Sequence, residues 1–158
     1  MNNLFFPPII APLKFYAVVP DADWVCRMID AGVNTVQLRA KNLPENLRRQ
    51  EIRRCVQAAS GSNTQLFIND YWREAIEGNA YGVHLGQEDM DTADLSAVAK
   101  AGLRLGLSTH ADSELNRALA VHPSYVACGV SSLAVVRAIT EAKNPEQTVK
   151  DFQALWDK

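Results

Sequence analysis

The sequence lacks the features that mark membrane proteins, secreted proteins and nucleic-acid-binding proteins. No apolar run approaches the ~20 residues that a membrane-spanning helix needs, and the opening segment has neither the basic start nor the small cleavage residues of a signal peptide. The formal net charge is only −2, so no strong field would recruit nucleic acid or an anionic membrane. We therefore expect no nucleic-acid partner and no membrane partner.

Cysteine and histidine are scarce, with three residues of each. Cys26, Cys55 and Cys128 are scattered, and the chain has no Cys-x-x-Cys or His-x-x-x-His spacing of a zinc site. Scattered thiols are typical of a reducing compartment, so we expect a cytoplasmic protein. The basic run from Arg48 to Arg54 alternates along a predicted helix, which indicates a solvated helix face rather than a nucleic-acid patch.

Short β-rich runs alternate with amphipathic stretches along the chain, a pattern typical of βαβ units around a parallel sheet. Six strands are predicted, at residues 14–20, 35–40, 64–70, 81–86, 103–110 and 124–129. The predicted helices include one that begins at Asp21 or Asp23, one over 44–59, one over 91–102 and a last one from Pro145 to Trp156. No Gly/Ser-rich or Pro-rich linker divides the chain, so we predict a single domain over residues 1–158 that begins with an extended arm, residues 1–13.

Two parallel architectures compete, a doubly wound sheet and a (β/α)8 barrel. A doubly wound sheet has a Gly-rich phosphate turn after its first strand, and the segment VVPDADW is not one. A barrel instead carries polar residues at the carboxyl ends of many strands, where its active sites form. Four successive units have such residues here: Gln37, Arg39 and Lys41; Asn69 and Asp70; His84, Gln87 and Asp89; Ser108 and His110. This distribution favours a TIM (β/α)8-type barrel.

The acidic and basic residues at these strand ends each allow two interpretations. Asp70 and Asp89 follow successive strands and are suited to hold Mg²⁺, which prefers one or two carboxylates plus water and phosphate oxygens; alternatively, each caps the helix that follows it. Gln37, Arg39 and Lys41 lie in one row by the two-residue alternation of a strand. They either bind phosphate oxygens or form the charged end of an exposed strand.

The histidines and the serine give a weaker signal. His84 lies inside an apolar strand, where a hydrogen-bonded core residue and a ligand-binding residue are both open. Ser108 and His110 share a strand face, but no acidic partner is evident, so a serine-hydrolase triad is not expected.

Four motifs, QLRAK, FINDYW, GVHLGQEDM and LGLSTH, stand in an order and at spacings that resemble the thiamine phosphate synthase family. The resemblance runs from Lys14 to Gly129. Near the end, VSSLAVVRAIT resembles the eighth strand of that family, with a phosphate-binding turn around residues 131–138.

The resemblance implies a Mg²⁺-dependent transferase that joins hydroxymethylpyrimidine diphosphate to a thiazole phosphate and releases diphosphate. It implies that Gln37, Arg39, Lys41 and Asn69 hold the pyrimidine diphosphate, with Arg39 and Lys41 also acting in catalysis. It further implies that Asp70 and Asp89 bind Mg²⁺, that Ser108 lies at the reacting centre, that His84 lines the pyrimidine pocket, and that Ser131 and Ser132 bind phosphate.

The resemblance breaks after Gly129, where about fifty residues of the family's barrel are absent. A complete TIM barrel typically has ~250 residues. The absent part covers the sixth helix of the barrel, which follows the sixth strand, and the seventh βα unit. We therefore expect an incomplete barrel, with six strands in 14–129 and the eighth strand and terminal helix in 130–158. An open sheet edge would favour self-association into a homo-oligomer.

Three functions stay open on these grounds. The first is a thiamine phosphate synthase. The second is a truncated, non-catalytic remnant that binds pyrimidine diphosphate or a partner protein. The third is another phosphate-handling barrel, such as a tautomerase-like relative, against which the four diphosphate-side motifs argue.

Overall fold

Strands and helices alternate from the N-terminus onward in the computed structural model, which describes residues 4–128 and 139–154. The strands are β1 Tyr16–Val19, β2 Thr35–Leu38, β3 Gln65–Asn69, β4 Gly82–Leu85, β5 Arg104–Thr109 and β6 Tyr125–Cys128. The helices, numbered here in chain order, are α1 Ala22–Asp30, α2 Glu45–Ser60, α3 Trp72–Glu77, α4 Gln87–Thr92, α5 Leu95–Lys100, α6 Asp112–Ala120 and α7 Pro145–Ala154. All six strands predicted from the sequence are present.

The six strands form one parallel sheet in the order β1-β2-β3-β4-β5-β6. Each strand therefore pairs with its neighbours in sequence, which is the strand order of a barrel rather than of a doubly wound sheet. The register places Asn69 beside His84, His84 beside Gly106, and Gly106 beside Tyr125. These four residues thus lie in one row across four strands.

The two faces of the sheet differ in chemistry. One face is apolar and packs against the helices in a continuous core, with strand residues such as Val36, Leu66 and Leu105 fully buried. The opposite face carries buried polar residues, among them Gln37 and His84. Because neighbouring residues of a strand point to opposite faces, a strand such as Val36–Gln37–Leu38 supplies both the core and the polar interior.

The predicted starts of the first and last helices are confirmed. The Asp21 carboxylate accepts a hydrogen bond from the Trp24 amide of α1 at 2.9 Å, and the Asn144 side chain accepts one from the Gln147 amide of α7 at 3.1 Å. Such bonds satisfy amide groups that have no partner within the helix. Gly61 follows α2 as its C-cap residue.

The predicted helix over 91–102 is wrong in its boundaries. The chain turns into α4 already at Gln87, directly after the extended residue Gly86, and a second helix, α5, begins at Leu95. Asp94 separates the two helices because its carboxylate accepts a hydrogen bond from the Ala97 amide at 2.9 Å, which starts a new helix there. Asp89 therefore lies in the first turn of a helix and not at a strand end.

The N-terminal arm crosses the amino-terminal end of the sheet. The Gln65 side chain accepts a hydrogen bond from the Ile10 amide at 3.0 Å, and the Ser124 hydroxyl donates to the Pro7 carbonyl at 2.6 Å. Phe6 of the arm is buried. The arm thus links β3 to the start of β6.

Three sequence predictions fall outside the described residues: the eighth strand within 130–138, and the phosphate-binding residues Ser131 and Ser132. Within the two described ranges, no helix combines the length and apolar character that crossing a membrane requires.

Candidate active site

A cleft of about 250 Å³ opens at the carboxyl ends of β1 to β5. It is lined by all eight predicted site residues of the described ranges: Gln37, Arg39, Lys41, Asn69, Asp70, His84, Asp89 and Ser108. Val18, Gly86 and His110 complete the lining. The structure therefore brings together residues that are up to 71 positions apart in sequence, from Gln37 to Ser108, while their chemical roles stay predictions.

The end of β2 supplies the positive charge of the cleft. Arg39 continues the strand pairing beyond the end of β2, since its amide donates to the Val19 carbonyl at 2.8 Å. The chain then turns at Asn42, whose φ of 63° is well tolerated by asparagine. Among the described residues, no carboxylate lies within 4.0 Å of the Arg39 or Lys41 side chain. Both cations are thus available to a bound anion.

Asp70 and Asp89 form an interacting carboxylate pair. The pKa of Asp70 is raised to about 6, mainly because its carboxyl is partly buried and also because of the charge of Asp89 and a hydrogen bond to it, while the charges of Lys41 and Arg39 oppose the shift. Asp70 also has a φ of 65°, and its amide donates to the His84 carbonyl at 2.9 Å. Two carboxylates held so close favour the uptake of a proton or of a cation.

The alternative that these two aspartates cap helices is not supported. Neither α3 nor α4 has a side-chain cap hydrogen bond, because Tyr71 precedes α3 and Gly86 precedes α4. The helix after Asp89, α5, is capped by Asp94. The two carboxylates face the cleft instead.

His84 lies between two hydroxyl groups inside the sheet. Its Nε2 is 2.7 Å from the Ser108 Oγ, and its Nδ1 is 2.7 Å from the Tyr125 hydroxyl. The residue is only 5% exposed, and burial lowers its pKa to about 4. His84 is therefore neutral near pH 7, and it is both a hydrogen-bonded interior residue and part of the cleft wall. With a tyrosine at Nδ1 instead of a carboxylate, the Ser108–His84 pair is not a hydrolase triad.

Two tyrosines behind the cleft were missed by the sequence analysis. The Tyr125 hydroxyl lies 2.6 Å from that of Tyr16, and the Gln37 side-chain amide donates to the Tyr16 hydroxyl at 2.9 Å. Burial raises the pKa of both tyrosines well above the usual value. Each stands at the first position of a strand, which gave no signal because strand propensity alone explains a tyrosine there.

Two further polar residues at the rim make different contacts. The Gln87 side chain donates to the Ser108 carbonyl at 2.8 Å, which ties α4 to the end of β5. His110 is exposed, and its Nδ1 lies 3.5 Å from the Glu114 carboxylate. Within the described ranges, no cluster of three or more His, Cys, Asp or Glu side chains is arranged to hold a metal ion.

Comparison with known proteins identifies relatives along nearly the whole chain. A family model described as thiamine monophosphate synthase matches residues 15–151. The thiamine-phosphate synthase of Neisseria meningitidis serogroup B is 54% identical over 202 residues, covering 96% of this chain and 98% of that protein. That of Serratia proteamaculans is 53% identical over 124 residues, covering 78% of this chain and 58% of that protein.

A solved structure confirms the fold. Thiamine phosphate pyrophosphorylase from Pyrococcus furiosus superposes with a TM-score of 0.80 at 18% identity, covering 92% of this chain and 96% of that one. The sheet of six parallel strands is thus an incomplete TIM-type barrel, as predicted.

The Neisseria alignment also shows that this chain is shorter than its relative in the interior. The 202 aligned positions exceed the 158 residues of the chain by 44, so at least that many positions of the alignment have no counterpart here. This agrees with the internal omission predicted from the sequence. With a family match from residue 15 to residue 151 and relatives at 54% identity, the chain belongs to the thiamine monophosphate synthase family.

Proposed function

We propose that this chain is a thiamine-phosphate synthase, which condenses hydroxymethylpyrimidine diphosphate with thiazole phosphate. The observation that carries the proposal is one cleft, open at the carboxyl ends of the parallel strands, that is lined by two cationic side chains and by the Asp70–Asp89 pair. The relatives at about 50% identity are named thiamine-phosphate synthase, which favours this reaction over a tautomerase-like one. The three cysteines are free thiols, which fits a reaction in the cytoplasm.

The residues present fit a Mg²⁺ ion. Asp70 and Asp89 both line the cleft, and the Asp70 carboxyl, whose pKa is raised by burial and by the charge of Asp89, is hydrogen-bonded to that of Asp89. Mg²⁺ is held in proteins by one or two carboxylates, with water and phosphate oxygens as the remaining ligands, so a pair suffices. Asp70 and Asp89 would hold the ion, which when bound neutralises charge on the diphosphate.

The chain's own cations would stabilise the leaving group. In the reaction the thiazole nitrogen forms a bond to the pyrimidine methylene carbon, and the carbon–oxygen bond to diphosphate breaks with its electron pair leaving on oxygen. Negative charge therefore grows on diphosphate in the transition state. Arg39 and Lys41 face the cleft, have no carboxylate partner among residues 4–128 and 139–154, and are placed to interact with that charge.

The interior side of the cleft would hold the pyrimidine. Gln37, Asn69, His84 and Ser108 offer neutral polar groups there, next to the apolar Val18. Because the bond to diphosphate breaks with electrostatic help, the reaction needs no nucleophilic side chain. This agrees with the lining of the cleft, where the described residues include no triad and no thiol.

A second candidate is the non-catalytic remnant, and the 44 or more unmatched positions of the Neisseria alignment favour it. By the family resemblance, the absent segment carries a lysine for the diphosphate and groups for the thiazole phosphate. A chain without that segment would retain the diphosphate half of the site. Such a protein would bind hydroxymethylpyrimidine diphosphate without turnover.

Product formation separates the two candidates. Purified protein is incubated with both precursors and Mg²⁺, and thiamine phosphate is measured. We expect product with the wild type and with Asp91→Asn, an exposed aspartate of the same helix as Asp89. We expect at least a ~100-fold loss with Asp89→Asn, as found when one stabilising group of a polar site is removed. Diphosphate binding without product would establish the remnant, and full turnover of Asp89→Asn would refute the metal assignment.

A further inference from the structure

Five side chains form one continuous hydrogen-bonded chain across five strands. It runs from Gln37 on β2 to Tyr16 on β1, then to Tyr125 on β6, His84 on β4 and Ser108 on β5. The four successive distances are 2.9, 2.6, 2.7 and 2.7 Å. Every link is within the range of a well-formed hydrogen bond. Three of the five members line the cleft: Gln37, His84 and Ser108.

The packing around Tyr125 holds the middle of this chain in place. Tyr125 stacks on the His84 ring at a centroid distance of 5.6 Å and meets Phe67 edge-on at 5.1 Å. Gly106 lies between His84 and Tyr125 in the sheet register, and a Cβ there would come well inside 3.0 Å of the Tyr125 ring. The absent side chain at Gly106 is what lets the hydroxyl of Tyr125 reach Nδ1 of His84.

The direction of the hydrogen bonds follows from the first link. The Gln37 Nε2 group can only donate, so the Tyr16 oxygen accepts from it. Tyr16 then donates its hydroxyl proton in a hydrogen bond to the Tyr125 oxygen. Tyr125 in turn donates to the His84 Nδ1, which must be unprotonated, and the neutral ring carries its proton on Nε2 and donates it to the Ser108 Oγ.

The opposite direction satisfies fewer groups. If Ser108 donated to His84 and His84 to Tyr125, the Tyr125 proton would point to the Tyr16 oxygen, which already accepts from Gln37. The Tyr16 proton would then have no acceptor among residues 4–128 and 139–154. In the first direction the one proton left over belongs to Ser108, on the cleft wall, where water or a ligand can accept it.

We propose that Tyr16 and Tyr125 are positioning residues that fix His84 as the Nε2–H tautomer, so that Ser108 directs its own hydroxyl proton into the cleft. Together with the proposed function, this means that Ser108 donates a hydrogen bond to an acceptor atom of the pyrimidine, such as a ring nitrogen. Ser108 is then neither a nucleophile activated by His84 nor an acceptor for an amino group of the substrate.

The tautomer is measured by ¹⁵N NMR on protein labelled at histidine, without ligand. The signals of the two exposed histidines are assigned by their loss in His110→Gln and His122→Gln, and the remaining set belongs to His84. We expect a pyridine-type shift for Nδ1 and a pyrrole-type shift for Nε2. A protonated Nδ1 in the wild type would overturn the proposal.

A charge change at Gln37, the first member of the hydrogen-bonded chain, tests whether this chain of hydrogen bonds sets the His84 tautomer. In Gln37→Glu the carboxylate can only accept, so Tyr16 donates to it and every later bond reverses. We expect His84 to switch to the Nδ1–H tautomer in this variant and to keep Nε2–H in the control Gln57→Glu, which adds the same charge at an exposed position of α2. Retention of Nε2–H in Gln37→Glu would refute the role of Tyr16. Both measurements use ligand-free protein, so their outcome is independent of whether thiamine phosphate is formed.

Discussion

Replacement of Asp70 by asparagine should stabilise the protein while removing its response to Mg²⁺. The φ of Asp70 is 65°, in the left-handed region where asparagine is among the best tolerated residues, so the substitution keeps the backbone. It removes a carboxylate whose pKa is raised to about 6 by burial and by Asp89. A carboxylate with a raised pKa is destabilising when it is ionised, and asparagine has no charge to ionise.

The pH dependence of this gain follows from the direction of the pKa shift. Below about pH 4, Asp70 is protonated in both the folded and the unfolded chain, and the carboxylate costs nothing. Between about pH 4 and pH 6 the unfolded chain loses the proton while the folded one keeps it, so wild-type stability falls as the pH rises. Above pH 6 the cost is constant, and the gain from Asp70→Asn is complete.

The magnitude is about 1 kcal/mol. A shift from 3.8 to about 6 would correspond to at most ~3 kcal/mol at 1.36 kcal/mol per pKa unit. The Asp70 side chain keeps partial contact with solvent, and screening by water reduces that figure to ~1 kcal/mol. For a chain of this size, such a gain raises the midpoint of thermal unfolding by ~2–4 °C.

Thermal unfolding followed by circular dichroism tests this expectation, at about pH 4 and about pH 7.5, without Mg²⁺ and with excess Mg²⁺. Asp70→Asn should match the wild type at the lower pH and exceed it at the higher pH. Added Mg²⁺ should raise the midpoint of the wild type and leave that of Asp70→Asn unchanged, because a ligand stabilises only the state that binds it. Equal midpoints of the two proteins at both pH values, with Asp91→Asn as the charge control, would refute the reasoning.

Two further predictions concern stability. Gly106→Ala should lower the free energy of unfolding by ~1–3 kcal/mol, because the new Cβ would overlap the Tyr125 ring. Gly61→Ala is the control, since a Cβ there meets nothing within 4 Å. Equal midpoints of thermal unfolding in the two alanine variants would contradict this packing. Glu74→Ala should cost about 3 kcal/mol, since it leaves the mostly buried Arg48 without its carboxylate partner. Glu77→Ala removes a partner from an exposed ion pair and should lower the free energy of unfolding by less than ~1 kcal/mol. Equal losses of stability for Glu74→Ala and Glu77→Ala in urea unfolding would contradict this difference between a buried and an exposed pair.

The sequence predicted most of what depends on local periodicity. Polar residues after four successive β-rich runs placed the site at one end of a parallel sheet, because parallel strands share their direction. The eight described residues of that prediction all line the cleft. The helix starts at Asp21 and Asn144 were predictable for the same reason, since a cap acts on an amide only three residues away.

The parts that could not be predicted depend on contacts between distant residues. Tyr16 and Tyr125 meet across 109 positions of sequence, and nothing local marks either as more than a strand residue. The role of Gly106 follows only from the ring that occupies the space beside it. The break between α4 and α5 was missed because an Asp-Leu-Ser-Ala run continues a helical pattern, although Asp94 uses its carboxylate to begin a new helix.

The central claim is that the cleft holds a Mg²⁺ complex of a pyrimidine diphosphate between the Asp70–Asp89 pair and the cations Arg39 and Lys41. Calorimetric titration of the wild-type protein with hydroxymethylpyrimidine diphosphate, in Mg²⁺ and then in EDTA, tests it directly, whether or not the protein turns over. We predict binding in Mg²⁺ that weakens at least ~10-fold in EDTA, a difference of ~1.4 kcal/mol. Equal affinity in the two buffers, or no binding in either, would contradict the claim.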